Sequence, residues 1–271
     1  MGKTFIVAEA GINHKGDLDL AKSLVEAAKE SGCDAVKFQT YRSESRASPG
    51  SEIYDILKSC ELNFEQQTDL KVHADNVGIE FFSTPFDEEM LFFLIERLGL
   101  RRIKLASFDV TNRKILSLVN EYAKNLPSLH VVLSTGMANY REINTALKHL
   151  SNTSNLTLMH CVSSYPTPEE NVNLSAIMTL KGILHGRTVG YSDHTNDILA
   201  PALSVIAGAV VVEKHFTLDL DNGAVDNPVS ADPVMMKEMV DVIRIHEKMM
   251  GDGLLNMQEI EEQALVFRRH T

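Results

Sequence analysis

Eight times along the chain a short β-branched or aromatic run gives way to a helical pattern, and that repetition constrains the fold more than any other feature. The runs are Phe5–Glu9, Ala35–Gln39, Glu80–Ser83, Arg102–Ala106, Val131–Ser134, Leu156–His160, Thr188–Tyr191 and Ala209–His215. Between them lie apolar stripes at helical spacing. Ala21, Leu24, Val25 and Ala28 form one, with Gly32 as its stop; Ile115, Leu118, Val119 and Tyr122 form another behind an Asn112 cap. No Pro/Ser-rich linker divides the chain, and 271 residues with 44% hydrophobic content suit one large core. The expectation is an α/β fold, a (β/α)8 TIM barrel, as a single domain over residues 1–271. A doubly wound sheet fits fewer strands and carries a glycine fingerprint after its first strand, where this chain has Ala10-Gly11-Ile12-Asn13-His14.

Charge excludes one class of partner. With 26 basic against 37 acidic residues, net −11, no basic stripe is available to displace counterions from nucleic acid. A small anionic substrate remains open, provided lysines are gathered inside a pocket. Cys33, Cys60 and Cys161 are scattered, which fits a reduced compartment and small core positions rather than disulfides or zinc. Neither a membrane-length apolar stretch nor a signal-peptide core is present, so the expected location is cytoplasmic.

Barrels of this kind keep their chemistry at the C-terminal ends of the strands, so those ends can be read as a site inventory. In order they offer Glu9; Lys37 and Gln39; Ser83 and Thr84; Lys104 and Ser107; Ser134 and Thr135; Ser163 and Tyr165; Ser192, Asp193 and His194; Glu213 and His215. Strand alternation puts Lys37 with Gln39 on one face and Glu213 with His215 on another, and turns Lys214 outward to a structural role. Lys37 and Lys104 sit in strongly β-forming runs, where burying an ammonium without an anion is expensive. Beside the hydroxyls of Ser83, Thr84, Ser107, Ser134 and Ser192 they would hold a phosphate and a carboxylate. His194 and His215 would supply two neutral imidazoles to a divalent metal with positions left open, as a catalytic metal requires.

Seven segments, spread in order over nearly the whole chain, carry a resemblance. They are Ala8-Glu9-Ala10-Gly11-Ile12-Asn13-His14, Val36-Lys37-Phe38-Gln39, Phe82-Ser83-Thr84-Pro85-Phe86-Asp87, Leu133-Ser134-Thr135-Gly136-Met137, Tyr165-Pro166-Thr167-Pro168, Gly190-Tyr191-Ser192-Asp193-His194-Thr195 and Glu213-Lys214-His215-Phe216-Thr217-Leu218-Asp219. Together they resemble the sialic acid synthase family, the N-acetylneuraminate synthases with their legionaminate, pseudaminate and spore-coat polysaccharide relatives. The resemblance implies a transferase that condenses phosphoenolpyruvate with an aldose, an N-acetylmannosamine-like or related amino or deoxy sugar, to give a nonulosonic-type 3-deoxy sugar acid and phosphate.

Carried over residue by residue, the resemblance assigns Lys37, Thr84, Lys104, Ser107, Ser134 and Ser192 to phosphoenolpyruvate, and Gln39, Tyr165 and Asp226 to the sugar. His194 and His215 become ligands of a divalent ion, Mn2+ first, with Mg2+ and Co2+ as alternatives. Glu9, with Glu213 and His215, becomes the candidate for proton handling. A homodimer is implied as well. Three departures bear on the substrate: Phe108-Asp109 stands where the family commonly has Gly-Glu, which would alter the pocket floor, Ser163 replaces an Asn, and Val225-Asp226-Asn227-Pro228 lacks a His and a Lys. The small antifreeze-protein-like C-terminal domain of full-length relatives is absent from residues 1–271, whose end is expected to coincide with that of the barrel.

Two other functions are compatible with these residues. A Schiff-base aldolase or lyase would use Lys37 or Lys104 and leave the two histidines without a task. A phosphoenolpyruvate-binding barrel could keep the anion site without turnover. Of the rest, Arg42–Ser51 has loop composition and would hang over the site as a cover, and His14 would be a supporting or substrate group. His73, His130, His149, His185, His246 and His270 read as solvated, and the eleven methionines as core filler or interface.

Overall fold

A computed structural model describes residues 2–183 and 187–269, and shows the eight expected strands. They are β1 (Phe5–Gly11), β2 (Ala35–Thr40), β3 (Glu80–Pro85), β4 (Arg102–Leu105), β5 (His130–Ser134), β6 (Asn155–His160), β7 (Thr188–Asp193) and β8 (Val211–Phe216). Each runs parallel to its neighbour in sequence order. β1 also pairs with β8, Phe5 facing Val211 and Glu9 facing His215, so the sheet closes on itself as a TIM barrel. A two-residue strand, β9 (Ser230–Ala231), adds to the end of β8, and no periodicity announced it.

The helices are α1 (Leu18–Glu30), α2 (Ser43–Arg46), α3 (Glu52–Ser59), α4 (Phe64–Val77), α5 (Glu88–Phe92), α6 (Arg113–Asn125), α7 (Tyr140–His149), α8 (Ser175–Ile183), α9 (Leu199–Ser204) and α10 (Pro233–Met249). On α1 the buried face is the stripe read from the sequence, and Gly32, at φ +88°, turns the chain after it. α6 is rotated from expectation: Asn112 caps it through Ile115 N–H, but Ile115, Leu116, Val119 and Ala123 are buried while Leu118 and Tyr122 pack at the edge. Segment 42–51 is not all loop, since α2 lies within it. Residues 250–269 are exposed throughout, so the last packed helix is α10, short of the 268–271 segment where the sequence placed the end of the barrel. No helix among the described residues is long and apolar enough to cross a membrane.

The histidines expected to be solvated are held more closely than that. His73, His130, His149 and His246 are half-buried, while His185 and His270 lie outside the described residues. His73 meets Glu26 at 3.0 Å. His130 is clamped at the base of the barrel, its Nδ1 2.7 Å from an Arg102 N–H donor and its Nε2 2.8 Å from Thr157 Oγ1. Burial, and then the Arg102 charge, push it down to about 4. The unfolded chain therefore binds a proton that the folded chain refuses between about pH 6.5 and 4, and stability falls as pH drops through that window. His130 should account for on the order of 2 kcal/mol of this loss. Urea titrations at pH 7 and 4.5 should show a smaller difference for His130→Gln than for the parent; equal differences would remove the assignment.

Candidate active site at the C-terminal rim of the barrel

Closure fixes the site by register. Glu9 lies opposite Lys37 on one side and His215 on the other, and Ser192 lies opposite Glu213. Residues two apart on a strand share a face, so these side chains project together into the top of the barrel. A bulge at Glu9/Gly11 ends the β1 ladder, with Gly11 at φ +53°. A Cβ there would sit 3.1 Å from Asp226 Oδ2 and 3.4 Å from both Gln39 Nε2 and Glu9 Oε1, so a glycine lets the chain turn beneath these groups.

One cavity of about 390 Å³ takes in thirteen of the residues the sequence nominated: Glu9, Lys37, Gln39, Thr84, Lys104, Ser107, Ser134, Tyr165, Ser192, His194, Glu213, His215 and Asp226. Thr135 and Asp193 lie outside it, and Ser83, expected beside the lysines, instead donates to the Phe38 carbonyl at 2.9 Å. The two lysines do not wait for an anion as free charges. Lys37 Nζ lies 2.7 Å from Glu9 Oε2 and 3.6 Å from Glu213 Oε1, and donates to Thr84 Oγ1 at 3.3 Å. Lys104 Nζ reaches both Glu213 oxygens, at 2.8 and 2.9 Å, and Ser192 Oγ donates to Glu213 Oε1 at 3.0 Å. Two cations and two carboxylates thus balance in a buried quartet, which corrects the expectation that only a ligand could offset them.

The quartet is electrostatically uneven. Burial alone would raise Glu213, but Lys104 and Lys37 hold it down to about 2, so it stays ionised. Burial also works against Lys37, yet Glu213 and Glu9 prevail and its pKa is raised. For Lys104 burial prevails over Glu213, and its pKa is lowered.

The histidines stand side by side, ring centroids 5.5 Å apart, with Tyr165 4.1 Å from His194 and 5.9 Å from His215. His194 Nδ1 faces the Val162 carbonyl at 2.6 Å, which places the ring proton on Nδ1 and leaves Nε2 with its lone pair. Burial, and then His215, push His194 down to about 4, so it is neutral near pH 7. His215 Nδ1 lies 3.4 Å from Asp226 Oδ2; burial opposes its charge, but that carboxylate wins and the pKa is raised. His194 is thus fixed by an acceptor on Nδ1, an arrangement that orients metal-ligating imidazoles, while His215 Nδ1 faces the Asp226 carboxylate without a hydrogen bond among the described residues. Among the described residues no group of three or more His, Cys, Asp or Glu side chains converges as a metal cage. The pair fits an ion with several open positions and not a closed structural centre. His215 is also buried, 6% exposed.

Other placements differ from expectation. Cys161 is no core filler: it walls the cavity, its Sγ 3.1 Å from Ser107 Oγ. A Cβ on Gly136 would collide with Ser163 Oγ and come within 2.8 Å of Cys161 Sγ and Ser107 Oγ, so the Ser134-Thr135-Gly136 turn is packed against this cluster. Phe108 lies at the cavity mouth, 65% exposed, rather than on its floor, and Asp109 turns away to Asn112, which donates to it at 3.0 Å. Asn227 braces the loop after β8 through the Leu220 carbonyl at 2.8 Å. Lys214 points outward as expected, wholly buried, 2.6 Å from Asp193 Oδ2 and from the Thr195 carbonyl.

Two functional positions escaped the sequence reading. Asn13 donates to the Phe216 carbonyl at 2.9 Å and Ser230 Oγ at 3.0 Å and accepts from Asp226 N–H at 3.3 Å, so it carries the Asp226 loop. Only its presence in the first quoted segment hinted at this. Arg46, from the supposed loop, lines the cavity.

A closed parallel barrel with a polar, charge-balanced cavity at its C-terminal rim defines a TIM barrel of the active-site-bearing kind. Comparison with known proteins makes this specific: the chain belongs to the NeuB family, whose profile matches residues 24–254. It is 48% identical over 270 residues to an uncharacterised protein of Methanocaldococcus jannaschii, covering 99% of this chain and 78% of that one. It is 43% identical to the N,N'-diacetyllegionaminic acid synthase of Legionella pneumophila, covering 92% of this chain and 74% of the relative. Among solved structures, the N-acetylneuraminic acid synthetase of Leptospira borgpetersenii, in complex with citrate, superposes with a TM-score of 0.91 at 37% identity, covering 98% of this chain and 92% of that one. A truncated 3-deoxy-D-arabino-heptulosonate 7-phosphate synthase of Thermotoga maritima, at 16% identity and a TM-score of 0.71, shares the fold.

Proposed function

We infer that the protein is a phosphoenolpyruvate-dependent synthase of a nonulosonic-type sugar acid, and the observation that carries this is the gathering of thirteen nominated side chains in one cavity. Family membership supports it, through relatives named as legionaminic and pseudaminic acid synthases. In this reading Lys37 and Lys104 hold the phosphate and carboxylate of phosphoenolpyruvate, helped by the hydroxyls of Thr84, Ser107, Ser134 and Ser192. The Ser134 hydroxyl is buried without a hydrogen-bond partner, so an incoming acceptor oxygen would satisfy it.

His194 and His215 would hold a divalent ion of the Mn2+ type, which supplies Lewis acidity toward the aldehyde oxygen. In the reaction C3 of the enol phosphate bonds to the aldehyde carbon, whose oxygen takes a proton. Water adds to C2 and gives up both of its protons, one to that oxygen and one to the departing phosphate, as the C2–O bond to phosphate breaks to leave a keto acid. Glu213 is a poor base, ionised and saturated by Lys104 and Ser192, so it serves as a fixed counter-charge that aims the lysine. Glu9 is better placed to take the proton from water, since among the described residues its Oε1 accepts a single long hydrogen bond, from Gln39 Nε2 at 3.4 Å. Tyr165, Gln39 and Asp226 would bound the sugar, and a homodimer and cytoplasmic location belong to the same proposal.

The test is phosphate release from phosphoenolpyruvate across a panel of mannosamine-type, bacillosamine-derived and plain aldoses, with and without Mn2+. Release that depends on both aldose and metal is expected; none with any aldose would defeat the reading. Lys37→Ala should weaken phosphoenolpyruvate binding by about 2–4 kcal/mol, read from its KM, since it removes a charge-assisted contact and leaves Glu9 unpaired. A Schiff-base reading is favoured by one observation, the lowered pKa of Lys104. Borohydride trapping of a keto acid on the protein, insensitive to chelator, would establish it instead.

A further inference from the structure

Three cations reach into the cavity, and two are matched by carboxylates at hydrogen-bonding distance. The third is Arg46, the last residue of α2. Its guanidinium carbon lies 3.8 Å from the Phe86 ring centroid and 5.0 Å from that of Tyr41, so aromatic faces cover it. Its hydrogen bond goes to a neutral acceptor, Gln39 Oε1, from Nη1 at 3.3 Å. Arg42, one turn earlier, pairs with Glu61 and Glu89, whereas Arg46 has no carboxylate partner within 4.0 Å among the described residues.

A guanidinium carries five N–H donors in one plane, and stacking leaves those edge donors as its remaining means of binding. Half-buried in the corner of two perpendicular rings and short of acceptors, it favours an oxygen brought by a ligand, most of all a planar or multi-oxygen group that its fork can engage twice. Position narrows the source. Gln39 stands between Arg46 and Glu9, and Glu9 in turn contacts Lys37, so Arg46 lies beyond the quartet that grips the enol phosphate. The wall beside it is apolar, with Ile12, Leu57 and Phe86, which suits a substituent projecting from the sugar and not the reacting carbons.

We propose that Arg46 determines sugar specificity by binding a hydrogen-bond-accepting substituent, an acyl carbonyl or a phosphate, on the part of the aldose remote from its aldehyde. This rests on the synthase reading above and adds to it which residue selects the second substrate. Arg46→Met keeps an apolar stem for Phe86 and removes every donor; Arg46→Lys keeps the charge and removes the fork. Phosphate release is to be measured with an N-acylated aldose, its free-amine counterpart and a phosphorylated aldose, with circular dichroism and phosphoenolpyruvate KM as controls.

Arg46→Met should raise the aldose KM at least fivefold while the phosphoenolpyruvate KM stays within twofold. If the substituent is a phosphate, Arg46→Lys retains most of the affinity and the effect shrinks with added salt. If it is an acyl carbonyl, Arg46→Lys is as impaired as Arg46→Met, and the difference from wild type vanishes with the free-amine sugar. A smaller change in aldose KM for every sugar that the wild type turns over, or an equal rise in both KM values, overturns the proposal and leaves the synthase reading standing. Absence of turnover by the wild type with all three sugars overturns both.

Discussion

Lys214→Met should lower the stability of the protein by about 3–5 kcal/mol, although Lys214 touches no part of the cavity. Asp193 and Lys214 are register partners on β7 and β8, both fully buried against the helical layer. Removing the ammonium leaves the Asp193 carboxylate uncompensated in a medium that solvates it poorly, with only Tyr191 OH at 2.8 Å and Thr195 N–H and O–H at 3.1 and 2.8 Å to hold its charge. Burial outweighs Asp193 and pushes Lys214 down, and taking two charges out of water offsets much of what their attraction contributes. The double variant Asp193→Asn/Lys214→Met should therefore recover most of the loss. Urea denaturation at pH 7 reads both numbers; a loss under about 1 kcal/mol for the single variant would show that the three remaining donors suffice.

His215→Ala should reduce phosphate release at least about 100-fold, the scale of removing one preorganised electrostatic contact in a water-poor site, and should abolish tight Mn2+ binding. The ring is buried and faces Asp226, so its removal also leaves a small void and a carboxylate without its neighbour, and a modest stability loss accompanies the loss of turnover. Isothermal titration with Mn2+ separates the two effects: unchanged Mn2+ affinity in a folded His215→Ala protein would strike out the metal role.

The fold was legible because its signal repeats. Each strand is a short β-forming run and a helix lies between it and the next, so eight independent cues agree on one architecture, and Phe5–Gly11 and Val211–Phe216 had only to meet. Strand alternation then predicted that Lys37, Glu213 and His215 face inward and Lys214 outward, because a period of two is insensitive to small errors in strand ends. What stayed hidden depends on three-dimensional neighbours. Whether a buried lysine is balanced by a ligand or by Glu9 and Glu213 is a matter of cross-barrel distance, which no local pattern encodes. Arg46 sits in a stretch of Ser, Glu, Pro and Gly that has loop composition, and only the approach of Phe86 and Tyr41 gives it a place. The rotation of α6 escaped for a related reason: Leu116 and Leu118 are equally apolar, and only the folded chain buries the first and leaves the second at the edge of the core.

Pairing of β1 with β8 joins the two extremes of the barrel sequence, and this has a kinetic meaning. Contacts so distant in the chain carry a large loop-closure entropy and form late. Glu9 meets His215 only across that seam, so a half-wound chain can possess every other strand and still lack a workable centre. Recovery of catalysis during refolding is then a stopwatch for the final zipping event, and should lag behind the return of helical circular dichroism.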